Sequence, residues 1–225
     1  MLTFDPVLHK YYVDGSEKPG VSKIIEIAGL STPFVKPKHN TYCPKELDDD
    51  EECTCGAETA PRYGTAVHEM IRLFELGTLD LEALDPGLMN AFRAYSRFRY
   101  EHSDYEPIED ADGPLIERPM YSERYGYAGT PDLPMRHKRT KRGVIFDTKT
   151  SVSMTDSMEL QLSGYDQLVR EHLGIEKLVP FDRKILWLKW DLEVPIIKEM
   201  TDPAARHTFL AATTIFRWRE RHEKL

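Results

Sequence analysis

The chain has 225 residues, with 30 Lys and Arg against 38 Asp and Glu, a formal net charge of −8 and 40% hydrophobic residues. That is enough for one domain with its own core, and no apolar run reaches the roughly 20 residues of a membrane-spanning helix, which excludes a helix-spanned membrane protein. Three cysteines, Cys43, Cys53 and Cys55, sit in one short segment, which excludes a disulfide scaffold.

The start, Met1 to Pro6, lacks the basic and apolar stretches of a secretory signal, so a cytoplasmic location is expected. Residues 8–14 and Gly15 read as a short strand and turn, and Val21 to Leu30 as a short helix opened by Ser22. From Ser31 to Pro61 the chain is rich in Pro, Lys and acids and has no apolar periodicity, as in an insertion. It holds six acids, Glu46, Asp48, Asp49, Asp50, Glu51 and Glu52, so most of the negative charge belongs to one loop. Residues 1–62 are therefore expected to form an amino-terminal extension, and 63–225 the core.

Tyr63 to Leu76 has helical spacing, with Val67, Ile71 and Phe74 on one face and Gly77 as the stop. A second helix opens at Asp85-Pro86. Three strand-like runs, Leu115–Ser122, Gly126–Met135 and Gly143–Lys149, read as an antiparallel meander. Met158–His172 reads as a helix closed by Gly174, and Lys184–Trp190 as a strand. Asp202-Pro203 opens a last helix with Phe209, Ala212, Ile215 and Phe216 inward. The sum is one mixed α/β domain.

Chemistry concentrates on two of these runs. Gly129-Thr130-Pro131-Asp132 ends one and Asp147-Thr148-Lys149-Thr150 ends the next, with Asp147 and Lys149 on one strand face. Two carboxylates on adjacent strands repel, and a hard divalent ion such as Mg²⁺ resolves this by taking oxygens from both. Lys149 beside that ion can hold a phosphate or assist deprotonation of water. The alternative is a surface ion pair between Asp147 and Lys149. The basic run Arg136 to Arg142 adds a candidate DNA contact or a solvated loop.

Pro131-Asp132, 14 intervening residues and Asp147-Thr148-Lys149 resemble the PD-(D/E)xK nuclease motif. The flanking Gly64-x-x-x-His68, Gly129-x-x-Asp132, Asp147-x-Lys149-Thr150 and Gln161-x-x-x-Tyr165 resemble, in order, the RecB-like branch, which includes stand-alone phage-type exonucleases. The resemblance implies an αβββαβ core, a mixed central sheet with flanking helices as in restriction endonucleases. It also implies Mg²⁺- or Mn²⁺-dependent hydrolysis of DNA in recombination, repair or turnover, with a single-strand annealing or other recombination protein as partner. By position, His68, Asp132, Asp147 and the Thr148 carbonyl would ligate the metal, and Lys149 would position water and phosphate. Gln161 and Tyr165 share a helix face and would reach the strands or the DNA. Glu117 would be a further acidic residue, with Glu123 as its competitor. The alternatives are an endonuclease on the same fold and an inactive nucleic-acid-binding module.

His39, Cys43, Cys53 and Cys55 make a candidate structural zinc set, with unligated thiols as the alternative. No cysteine follows Cys55, which argues against an iron–sulfur cluster. No Gly-x-x-x-x-Gly-Lys phosphate loop occurs, so ATP-driven unwinding would need another protein.

Overall fold

The computed structural model describes residues 1–6, 8–31, 55–151, 153–175 and 181–223, with residues 55–60 described as backbone only. The chain opens with an antiparallel sheet of β1 (Leu2–Asp5), β2 (Lys10–Val13) and β3 (Ser16–Lys18). Asp14 and Gly15 join β2 to β3 with φ of 49° and 78°, the paired positive φ of a tight hairpin turn. Helix α1 (Val21–Ile27) follows, with Gly20 rather than Ser22 as its cap.

Helices α2 (Cys55–Glu75) and α3 (Met89–Glu101) come next, separated by a short 3₁₀ turn that Asp85 caps by accepting from the Gly87 N–H at 2.7 Å. Short strands follow: β4 (Tyr105–Pro107), β5 (Glu109–Asp110), β6 (Gly113–Pro114), β7 (Met120–Ser122) and β8 (Tyr127–Gly129). The chain then runs through β9 (Leu133–His137), β10 (Gly143–Lys149), α4 (Ser157–His172), β11 (Asp182–Trp187), β12 (Ile196–Glu199) and α5 (Ala205–His222).

The central five-stranded sheet has the order β12-β11-β10-β9-β4. β10 pairs antiparallel with β9 and parallel with β11, and α4 makes the crossover that a parallel pair requires. From α3 to β11 the sheet and its helices run in the order αβββαβ, within a mixed α/β fold. The expected meander is only half right. β7 and β8 pair with each other outside the central sheet, and the third strand is β4, which has too few residues to show a period.

Each sheet face carries its own core. Val144, Phe146, Leu186, Leu133 and Met135 pack under α2 and α3 with Val67, Ile71, Tyr95 and Phe98. Ile145 and Ile185 face the other way and pack with α1, α4 and α5 through Ile24, Leu162, Leu168 and Phe209. β10 is buried on both faces, as its unbroken Val-Ile-Phe run requires. In α5, Phe209, Ala212 and Phe216 turn inward as expected, but Ile215 is exposed, because α5 buries one narrow stripe.

Gly129, the last residue of β8, lies against both α1 and α4. A Cβ there would come within 2.9 Å of Leu168, 3.0 Å of Tyr165 and 3.1 Å of Val21. Gly129→Ala should therefore lower unfolding stability by about 1–3 kcal/mol through overpacking, read as a fall in the urea midpoint at unchanged slope.

Candidate metal centre

Asp132 stands directly before β9, not at the end of the preceding run. The chemistry survives this shift because β9 and β10 are antiparallel, so β9 begins where β10 ends. Leu133 pairs with Phe146, and continuing that register sets Asp132 opposite Asp147. Asp132 accepts from the Thr148 N–H at 2.7 Å, so Thr148 meets the site through its amide. The residues before Asp132 are tied to the amino-terminal sheet, where Tyr11 and Thr130 share a hydrogen bond of 2.9 Å.

Two segments far away in sequence complete the cluster. His68 on α2 donates from Nδ1 to Glu117 Oε1 at 2.6 Å, with Asp132 Oδ2 at 3.6 Å from the same nitrogen. Ligand atoms of His68, Glu117 and Asp132 lie within 4.8 Å of one another. Glu117 is not on a strand. It occupies a turn with φ of 48°, held by its own N–H against the carbonyls of Pro131 and Asp132 at 3.1 and 3.0 Å. A non-glycine residue in that region costs energy, and here the cost places a carboxylate beside Asp132. Its competitor Glu123 is exposed.

Asp147 lies outside that trio. Its Oδ2 is 2.6 Å from Lys149 Nζ, with side-chain exposures of 0% and 20%, so the pair is not the surface pair allowed above. Asp147 Oδ1 is buried without a hydrogen-bond donor among the described residues. Lys149 donates onward to Gln161 Oε1 at 3.2 Å, and Gln161 donates to the Tyr165 hydroxyl at 3.0 Å. The four-residue spacing thus carries a relay from the strand to one face of α4.

The basic run is elsewhere. It forms the β9–β10 hairpin at the opposite end of the sheet, where Arg136 and Lys141 meet Glu106, His137 meets Asp104 and Arg142 grips Asp182. The hairpin is remote from the site; Arg136 and Lys141 share Glu106, Arg142 pairs with Asp182, and Lys138 donates to the Ser103 carbonyl. The proposed zinc residues His39, Cys43 and Cys53, and the side chain of Cys55, lie outside the described residues.

The electrostatics fit a bound cation. Burial raises the Asp147 carboxyl to about 6, and the Asp132 charge adds to this. Burial likewise raises Asp132, with Glu117 adding and His68 opposing. Burial disfavours the imidazolium of His68, but the negative charges of Asp132 and Glu117 outweigh it and raise His68 to about 9. The donor set is oxygen and one imidazole, crowded acids lack enough positive charge, and one buried carboxylate oxygen is unpaired. These are the traits of a site for a hard divalent ion such as Mg²⁺ or Mn²⁺.

No family model and no curated protein matches the sequence. Among solved structures, the fold is similar to a provisionally assigned exonuclease from Eubacterium rectale, with 12% identity, a TM-score of 0.44, and coverage of 71% of this chain and 68% of the other. That likeness is too slight to bear on activity.

Three outcomes are expected. In metal-free protein the folded state holds more protons than the unfolded chain as pH rises past the carboxylate range to about 9, because Asp132, Asp147 and His68 are all raised. Their contribution to stability is therefore lost with rising pH, so melting temperature with chelator should fall across that window, and Glu117→Gln should lower the His68 titration midpoint seen by NMR. Asp132→Asn should weaken Mn²⁺ binding in calorimetry on the order of tenfold or more.

Proposed function

We propose that this protein is a Mg²⁺- or Mn²⁺-dependent nuclease that hydrolyses DNA phosphodiester bonds, acting as an exonuclease in recombination, repair or turnover. The observation that carries this reading is convergence: His68, Glu117, Asp132 and the Asp147–Lys149 pair come from separate segments to one end of a buried sheet. A structural role needs no such crowding of acids, which costs desolvation energy at each carboxylate. A binding module would need cations rather than carboxylates facing a phosphate. The exonuclease part rests on the resemblance of the four ordered motifs to stand-alone exonucleases.

His68, Glu117 and Asp132 would hold the ion, with Asp147 opposite. When bound, such an ion supplies a low-pKa water and neutralises charge on the phosphoryl oxygens. The other work falls to the chain. Asp147 and Gln161 hold the Lys149 ammonium in place from two sides, so it presents a fixed cation to a phosphate oxygen. Burial keeps the Tyr165 hydroxyl protonated well above its usual range, and because it accepts from Gln161 its own proton is free to be donated to substrate. Glu117 orients the imidazole of His68 by accepting from Nδ1.

The test uses end-labelled linear and covalently closed circular DNA with Mg²⁺, Mn²⁺ or chelator. Metal-dependent loss of linear DNA with intact circles is expected. Nicking of the circles would establish an endonuclease instead, and no cleavage of either would leave a binding module. Asp147→Ala should reduce cleavage by on the order of a hundredfold or more, and wild-type cleavage by that variant would sink the assigned site.

A further inference from the structure

The relay from Asp147 to Tyr165 accounts for Lys149, but a second lysine beside it has no part in that network. β10 and β11 run parallel with Lys149 paired to Trp187, so the two side chains leave the sheet on one face. Trp187 packs on the same side as Tyr165 and Leu160. Two residues further on, Lys189 sets its Nζ 4.2 Å from the centroid of the Trp187 ring. Lys149, Trp187 and Lys189 thus form a row at the end of the sheet where the candidate site lies.

This row is built, not loose. Trp187 Nε1 donates to the Ser151 carbonyl at 2.7 Å, which fixes the indole, and Leu188 N–H donates to the Lys149 carbonyl at 2.8 Å, prolonging the contact past the ladder. Beyond Lys189, Asn90 holds the Trp190 carbonyl at 3.0 Å and Arg93 holds Glu193 at 2.5 Å, so α3 pins the turn that follows. Lys141, Lys149 and Lys184 each have a carboxylate partner, whereas no carboxylate among the described residues is within ion-pair distance of Lys189. An indole face holds an ammonium in position while leaving its N–H donors unused. A positioned cation with no acid beside it is a ready contact for an external anion.

Resting on the nuclease reading above, we propose that Lys189 binds a second phosphate of the substrate strand, adjacent to the one at Lys149, with the strand crossing from the end of β10 to the end of β11. Sheet spacings put the two lysine backbones roughly 8 Å apart, and the long stems let both ammonium groups track neighbouring phosphates. A substrate with a single phosphate has no use for this cation. The recognised class is therefore a polynucleotide strand rather than a small phosphodiester.

The experiment compares wild type and Lys189→Gln on a 20-nucleotide single-stranded DNA and on bis(p-nitrophenyl) phosphate, which has one phosphate. For the oligonucleotide, the variant should raise KM three- to tenfold at similar kcat, and the slope of log affinity against log salt should shrink by about 0.7. Its KM for the small diester should move less than twofold. If both substrates suffer equally, or if neither KM nor the salt slope moves, the Lys189 assignment is wrong while the nuclease reading stands. If wild-type protein cleaves neither substrate with metal, the nuclease reading fails and takes this inference with it.

Discussion

Asp132 and Asp147 face one another across antiparallel strands at a place where water scarcely reaches either. Two carboxylates held this way repel, and neither is well solvated, so the fold must offset a cost that no hydrophobic contact offsets. Each neighbour can be read as a response. The Thr148 amide donates to Asp132, Lys149 pairs with Asp147, and His68 brings a second cation within 3.6 Å of Asp132. Glu117 then adds a further carboxylate, so the cluster is left with more acid than base. A site tuned for stability alone would not accept that imbalance, and a divalent cation would remove it.

The scaffold explains why the cluster is rigid. β10 is the central strand, covered on both faces, so Asp147 cannot swing toward solvent. The α4 crossover returns the chain along β11 and lays Gln161 and Tyr165 against Lys149 on the way. On the other side, Tyr11 bonds to Thr130 two residues before Asp132, so the amino-terminal sheet braces the segment that presents the carboxylate. Ligands placed by a strand, a helix and a braced turn lose little entropy when a substrate arrives.

Charge distribution shows why the net value of −8 says little about partners. Six of the acids fall in one short stretch, and the dense basic run lies at the far end of the sheet, where Arg136, Lys141 and Arg142 meet acids. In the proposed reading a phosphate would meet Lys149 and Lys189, which are 40 positions apart in the chain and are brought near one another by the parallel pairing of Lys149 with Trp187. Total charge counts residues, whereas recognition depends on which charges are held together at one place.

The sequence by itself determined the element types that have a strong period, the sidedness of α2 and most of α5, and the placing of Asp147 and Lys149 on one strand face. Those signals are local: spacing of apolar residues decides which face is buried, and Asp147 and Lys149 share a face because they are two apart in a strand. Tertiary structure alone decided the rest. Glu117 reaches His68 across 49 positions through a strained turn that reads as a strand in the sequence. Asp147 became a buried ion-pair member because β10 is central, and the basic hairpin was sent away from the site because β9 runs outward from Asp132. β4 and Lys189 bear no periodic or motif signal, and the helical period that turned Ile215 inward was overruled by the narrow stripe α5 buries. Strand order, register and chain return set their places, and these depend on contacts between residues far apart, which no local pattern encodes.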